Sequence, residues 1–256
     1  MSRSDCLDAR LQDYVDHHSY KLVERIQELV QTPSENTPPD GSEAACQEKI
    51  AHHLKAIGLQ PQLYELTEVK GLLEHPDFWP GRHYKGRPNL GVRMPGSGGG
   101  RSLILSGHID TVPRGMQEWT REPFGGEIQG NRLYGRGSND MKGGIGTNLF
   151  VLEALHELGI KLQGDLIFES VVDEEFGGAN GTLAGRLQGY HADAAILSEA
   201  SFLRICPAQR GGRTVHITLR ASGGILSEGD FPSGTIDQLR YLLQKVPEFS
   251  QLRRNI

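Results

Sequence analysis

From residue 89 onward, short apolar runs alternate with segments whose apolar residues recur at helical spacing, and this alternation restricts the fold more than any other feature. Strands are expected near 89–94, at Leu103–Ser106, at Asp165–Val172 and at Ala194–Leu197. A helix from about Gly143 to Leu158 aligns Ile145, Leu149, Leu152 and Leu155, and a shorter one is expected near Asn180–Leu187. Gly130-Asn131 joins Gly126–Gln129 to Arg132–Gly135 as a hairpin. Strands alternating with helices predict an α/β fold whose mostly parallel sheet is flanked by helices.

Upstream, Leu22, Val23, Ile26, Leu29 and Val30 give a helix over roughly 18–31, ended by Pro33. A second helix carries Ile50, Leu54 and Ile57 and is capped near Gly58, after a loop at 37–42. Residues 71–88, which contain Pro76, Pro80, Gly81, Gly86 and Pro88, read as an excursion loop. Beyond 212 the pattern changes: Thr214–Arg220 alternates as a strand, and Thr235–Val246 reads as a helix with Ile236, Leu239, Leu242 and Leu243 inward.

A net charge of -5, with no Lys or Arg block longer than a pair, offers no footprint for nucleic acid or an anionic membrane, so small molecules are the expected partners. The first ten residues lack an apolar signal region and no membrane-length apolar run follows, which makes a cytoplasmic location the expectation. The three cysteines, Cys6, Cys46 and Cys206, form no CxxC and argue against a disulfide framework or a thiolate metal site. Any metal must be held by histidine and carboxylates.

Four such clusters fall at strand ends or turns: His108 with Asp110, Asp140, Glu174 with Glu175, and Glu199. In open α/β sheets the carboxyl ends of strands converge on one crevice, so residues distant in sequence can meet there. Singly each cluster is an ordinary solvated or paired group, and their conjunction carries the argument. Gly107, the glycines around Asp140, and Gly177 with Gly178 put each acid on a tight turn. A hydrolytic zinc site needs few protein ligands, drawn from imidazole and carboxylate, and an open position for water. Two ions need a bridging carboxylate, a HisXaaAsp pair supplies a ligand and its orienting partner, and adjacent glutamates can divide metal binding from proton transfer.

The segments LSGHIDTVP at 105–113, GRGSNDMKGG at 135–144, DEEFGG at 173–178 and SE at 198–199 resemble, in order and spacing, the zinc-dependent M20 metallopeptidase family. That family includes acetylornithine deacetylase, succinyl-diaminopimelate desuccinylase, aminoacylase and glutamate carboxypeptidase. The resemblance implies a zinc-exopeptidase-like catalytic domain and a hydrolase of the amide bond of N-acyl amino acids or small peptides. It implies two Zn2+ ions, with Co2+ or Mn2+ as substitutes, and a homodimer for a full-length member. By position, His108 and Glu199 bind one zinc, Asp140 bridges, and Glu175 binds the other. Glu174 and Asp110 are the implied catalytic residues: Glu174 takes the proton of a water held between the metals, and Asp110 orients His108. The peptide from Asp140 to Met141 is often cis in this family.

Members of the family insert a lid and dimerisation domain and then return to supply a C-terminal histidine ligand. On that pattern residues 1–212 form the catalytic metal-binding domain and 213–256 begin a truncated α+β lid. The site of His108, Asp140 and Glu199 is complete, while its neighbour has Asp140 and Glu175 without a histidine. Ser222–Asp230 lacks the lid histidine, and His216 is expected on a sheet face. His17, His18, His52 and His53 are expected to be solvated, and Arg204, Arg210 and Arg213 are candidate receivers of a substrate carboxylate. The alternatives are a truncated or degenerate member that binds one metal without turnover, and a different dizinc aminopeptidase family, which the GSNDMKGG context of Asp140 disfavours.

Overall fold

The computed structural model describes residues 3–209, 211, 216–220 and 234–254. They fall into two compact units, 1–207 and 208–256. In chain order the first unit contains α1 (Arg3–Val30), the two-residue strands β1 (Asn36–Thr37) and β2 (Asp40–Gly41), α2 (Ala44–Ala56), β3 (Gln62–Tyr64), a 3-10 turn at Leu66–Glu68, β4 (Asn89–Met94) and β5 (Leu103–His108). There follow β6 (Glu127–Gln129), β7 (Arg132–Tyr134), α3 (Lys142–Glu157), β8 (Leu166–Val171), α4 (Asn180–Leu187) and β9 (Ala194–Leu197).

The main sheet has the order β3-β4-β8-β5-β9. β8 lies at its centre, and all six of its residues are buried, as a strand covered on both faces requires. β5 pairs in parallel with β8, placing His108 opposite Val171, and in parallel with β9, placing Ser106 opposite Leu197. β4 pairs with β8, and β3 with β4, in the antiparallel sense, so the sheet is mixed within the expected α/β class. The alternation of apolar runs specifies strands without specifying their direction. The parallel half is the half that carries the acidic clusters.

The core lies between this sheet and its helices, with Ile50 and Leu54 from α2, Ile145, Leu149 and Leu152 from α3, and Leu90, Leu105 and Phe168 from the strands. α1 begins well before the expected position near residue 18. Its upstream turns place Tyr14 in a small separate cluster with Phe150 and Ala154 of α3, too sparse an apolar stripe to show as periodicity. Near the end of α2, Gly58 takes the left-handed conformation (φ 78°) expected of a C-terminal cap.

The second unit contains α5 (Thr235–Arg254), longer than expected and running through Pro247. Its apolar residues Ile236, Leu239 and Leu243 are exposed rather than inward, because among the described residues of this unit no other element covers them. Residues 216–220 form no strand, and the rest of the expected strand, 214–215, lies outside the described residues. His216 is therefore an exposed residue of irregular backbone rather than one on a sheet face. No described helix is long and apolar enough to cross a membrane.

One buried cation joins three elements. Lys142, fully buried at the start of α3, donates to the carbonyls of Leu29 (2.8 Å) and Thr32 (2.7 Å) at the end of α1, and lies 3.6 Å from Cys46 Sγ of α2. Helix-end carbonyls have no intrahelical partner and need an outside donor. Replacing Lys142 with methionine keeps the bulk but removes the charged donor from both carbonyls, leaving Leu29 to the Thr32 N–H (3.2 Å) and Thr32 to Cys46 Sγ (3.1 Å), at about 1–3 kcal/mol each. Urea or thermal unfolding of Lys142→Met is expected to show a loss of about 2–5 kcal/mol; an unchanged midpoint would contradict this role.

Candidate metal centre

The register of the parallel strands sets the site. β5 ends at His108, β8 leads through Val172 into Asp173, Glu174 and Glu175, and β9 leads into Ser198 and Glu199, so three chain segments leave the sheet side by side. Asp140 stands just before α3, joined to Met141 by a cis peptide bond. Two glycines permit the close approach. A Cβ at Gly107 would lie 2.6 Å from Met141 Cε, and one at Gly144 would lie 2.1 Å from the Ser198 carbonyl oxygen. The first brings α3 against β5, and the second brings the exit of β9 against α3. Gly107 thus serves contact rather than an unusual backbone angle.

His108 is 1% exposed, and its Nε2 faces Asp140 Oδ1 at 3.0 Å, Glu199 Oε1 at 3.5 Å and Glu174 Oε2 at 3.8 Å. The candidate ligand atoms of His108, Asp140 and Glu199 all lie within 4.8 Å of one another. Asp140, Glu174 and Glu199 are each about half exposed (56%, 43% and 40%), which leaves the cluster open on the side away from the imidazole. On the other ring nitrogen, Nδ1 lies 2.9 Å from the Asp110 carbonyl oxygen and 3.5 Å from its carboxylate. A carbonyl only accepts, so Nδ1 carries the hydrogen and Nε2 points its lone pair at carboxylate oxygens. That arrangement demands a positive charge between them, either a proton or a bound cation, and the residues present therefore fit a metal ion.

The charges respond accordingly. Burial acts to lower the His108 pKa, but Asp110, Asp140 and Glu199 outweigh it and push it up to about 11. Burial raises the carboxyls of Glu174, Glu175 and Glu199. Asp140 is held low by its hydrogen bond to His108, and Asp110 is held low against its burial by His108 and Asn36.

Of the residues expected from sequence, His108, Asp140, Glu199 and Glu174 come together, with Asp110 directly behind the imidazole. The closest acceptor to Nδ1 is the Asp110 main chain, while its carboxylate accepts the N–H groups of Glu174 (3.0 Å) and Glu175 (3.1 Å). Glu175 stands apart, its Oε1 accepting the N–H of Val112 at 3.2 Å. Asn36 and Asp173 are both fully buried behind Asp110; Asp173 opens the DEEFGG segment with no role implied for it, and Asn36 lies in no motif. His53 departs from the solvated reading: it is buried between helices, accepting from Arg25 Nε at 3.1 Å and lying 3.3 Å from Glu153. Arg204 is exposed, and Arg210, Arg213 and Ser222–Asp230 lie outside the described residues.

Residues 104–222 match the family model described as Peptidase family M20/M25/M40. The chain belongs to this family. It is 32% identical over 255 residues to N-formyl-4-amino-5-aminomethyl-2-methylpyrimidine deformylase of Halalkalibacterium halodurans, covering 93% of this chain and 54% of that protein. It is 33% identical over 191 residues to succinyl-diaminopimelate desuccinylase of Methylobacterium radiotolerans, covering 72% of this chain and 44% of that one. The chain thus spans about half the length of these curated relatives. Among solved structures, an M20 family metallo-carboxypeptidase from Sulfolobus solfataricus shares the fold, with a TM-score of 0.54, 20% identity, and coverage of 70% of this chain and 37% of that one.

The ionisation of His108 fixes the sign of a pH effect in this M20 chain. Its pKa is raised from 6.5 to about 11, so without an ion the imidazolium stabilises the fold fully below about pH 6.5, and this contribution is lost as pH rises through about 11. Through the neutral range a cation must displace that proton, so zinc affinity is expected to rise about tenfold per pH unit or more steeply between about pH 6 and about pH 8. Competition with a chelating dye measures this, and a pH-independent affinity would contradict it.

Proposed function

We propose that this chain is the metal-binding part of a zinc-dependent hydrolase that cleaves the amide bond of N-acyl amino acids or small peptides. The observation that carries the reading is the buried imidazole whose Nε2 is ringed by Asp140, Glu199 and Glu174 on the open side of the sheet. Two relatives named a deformylase and a desuccinylase support an N-acyl substrate.

His108, Asp140 and Glu199 would hold one zinc, or Co2+ or Mn2+ in its place, and Asp140 with Glu175 would contribute to a second. A bound ion supplies Lewis-acid polarisation of the amide carbonyl and makes water a better nucleophile near neutral pH. Asp110 fixes the ring, since its carbonyl holds Nδ1 and its carboxylate holds the turn that carries the glutamates. Glu174 is the proton carrier. Its carboxyl is half-exposed beside the ligand cluster, and burial raises its pKa toward the range in which a group can both take and return a proton. It accepts a proton from the attacking water and delivers it to the leaving nitrogen.

In this reading residues 1–212 are catalytic, 213–256 open a lid and dimerisation domain, and the full protein is a cytoplasmic homodimer acting on small molecules. The engagement of Glu175 by Val112 favours a second reading, a member that holds one ion and turns nothing over. Hydrolysis of N-formyl, N-succinyl and N-acetyl amino acids, together with metal analysis, separates the two. Glu174→Ala is expected to lower turnover by about 10²–10⁴-fold while zinc content stays nearly unchanged. Loss of zinc from Glu174→Ala would show Glu174 to be a ligand, and no turnover by the unaltered chain with one ion bound would favour the second reading.

A further inference from the structure

We propose that Asn36 is a positioning residue of the metal centre, holding the Asp110 carboxylate and the Glu174–Glu175 turn in one rigid arrangement although it does not itself reach an ion. The proposal rests on the reading of His108, Asp140 and Glu199 as a metal site.

Asn36 is fully buried in β1, just after α1. Its backbone is laid along the chain that follows His108. The Asn36 N–H donates to the Thr111 carbonyl at 2.9 Å, the Thr111 N–H donates to the Ser34 carbonyl at 3.0 Å, and Ser34 Oγ donates to the Ile109 carbonyl at 2.7 Å. Segment 34–36 is thereby fixed against 109–111 before any side chain of Asn36 is considered.

The side-chain amide then spends both of its hydrogens on two carboxylates. Nδ2 donates to Asp110 Oδ2 at 2.8 Å and to Asp173 Oδ1 at 3.0 Å. Both acids are fully buried, and a buried carboxylate is tolerated only when hydrogen-bonded or paired. Asp173 has a second donor, Tyr84 Oη at 2.6 Å, and an ion pair with the Arg82 guanidinium at 3.5 Å. Arg87 is shared, lying 3.9 Å from Asp173 and 3.5 Å from the Asn36 amide oxygen, while its main partner is Glu43 at 2.6 Å. Asp110 is bound by Asn36, the His108 ring and the two glutamate N–H groups, and among the described residues by no buried cation other than an imidazolium.

Asn36 is therefore the side chain that links the acid behind the metal-binding imidazole to the acid that begins the catalytic turn. Asp173 adopts a left-handed backbone (φ 63°), an uncommon conformation for a residue other than glycine, and it directs Glu174 and Glu175 back under Asp110. Aspartate, serine and alanine cannot do the same work. An aspartate would set a third carboxylate against two others, a serine can donate to only one of them, and an alanine to neither.

The test uses the chain loaded with zinc or cobalt, comparing zinc affinity by chelator competition, the visible spectrum of the Co2+ form, and the thermal midpoint of the ion-free form. Groups that orient ligands from behind contribute about 10–100-fold to metal affinity. Asn36→Ala is expected to weaken zinc binding by about that factor and to shift the Co2+ spectrum, Asn36→Asp to weaken it further, and Asn36→Ser to fall between Asn36→Ala and the unaltered chain. Tyr84→Phe is the control, removing a donor to Asp173 without touching Asp110, and is expected to lower the thermal midpoint while leaving affinity within about twofold and the Co2+ spectrum in place. Equal zinc affinity and an unchanged spectrum in Asn36→Ala or Asn36→Ser would overturn the assignment. So would an equal loss in Tyr84→Phe, which would reduce the effect to stability of the buried network. Failure of the unaltered chain to bind zinc would instead sink the reading of the site itself, and the assignment with it.

Discussion

The parallel pairing of β5 with β8 on one side and β9 on the other determines the rest of the site, because it fixes where three chain segments leave the sheet. A parallel register aligns strand ends on one edge, and in this chain the residues beyond those ends are His108, the Asp173–Glu175 turn and Glu199. A slip of one residue in β8 would exchange its two buried faces and put Glu169, which accepts from Ser106, where Phe168 packs in the core. The complete burial of that strand makes such a slip expensive. The geometry of the candidate metal centre is therefore enforced by the hydrophobic core.

Within that frame the decisive local constraint is the protonation of one imidazole. Nδ1 is committed to a carbonyl, so Nε2 has to face the acids, and the acids make sense only with positive charge among them. The packing that puts α3 against β5 is equally specific. A glycine at 107 and another at 144 bring Asp140 and Glu199 to the same imidazole from two directions, and Lys142 anchors the start of α3 to the end of α1. Structure and chemistry share the same few residues here: the chain from Asp140 to Gly144 carries a candidate ligand, the helix start and the buried cation.

Much of this was legible in the sequence because it rests on periodicity and on motifs. The apolar run before His108, the helix with Ile145, Leu149 and Leu152, and the Gly130-Asn131 hairpin all follow local patterns that the fold obeys. Strand direction was not legible, since β4 has the same apolar alternation whether it runs with β8 or against it. The strands β1, β2 and β3, two or three residues long, are too short for any period to register. Buried polar residues were harder still. Asn36 lies outside every motif and expected element and His53 on a helix flank read as solvated, and their burial comes from long-range partners such as Asp110 and Glu153, which no local pattern announces.

On the proposed reading, one cation belongs among His108 Nε2, Asp140 and Glu199. Diffraction from crystals grown with zinc, recorded on both sides of the zinc absorption edge, tests it most directly. An anomalous peak is expected at bonding distance, about 2.0–2.2 Å, from His108 Nε2 and from carboxylate oxygens of Asp140 and Glu199. Zinc found only at other residues, or an Nε2 that remains hydrogen-bonded to Asp140 in the presence of the ion, would contradict it.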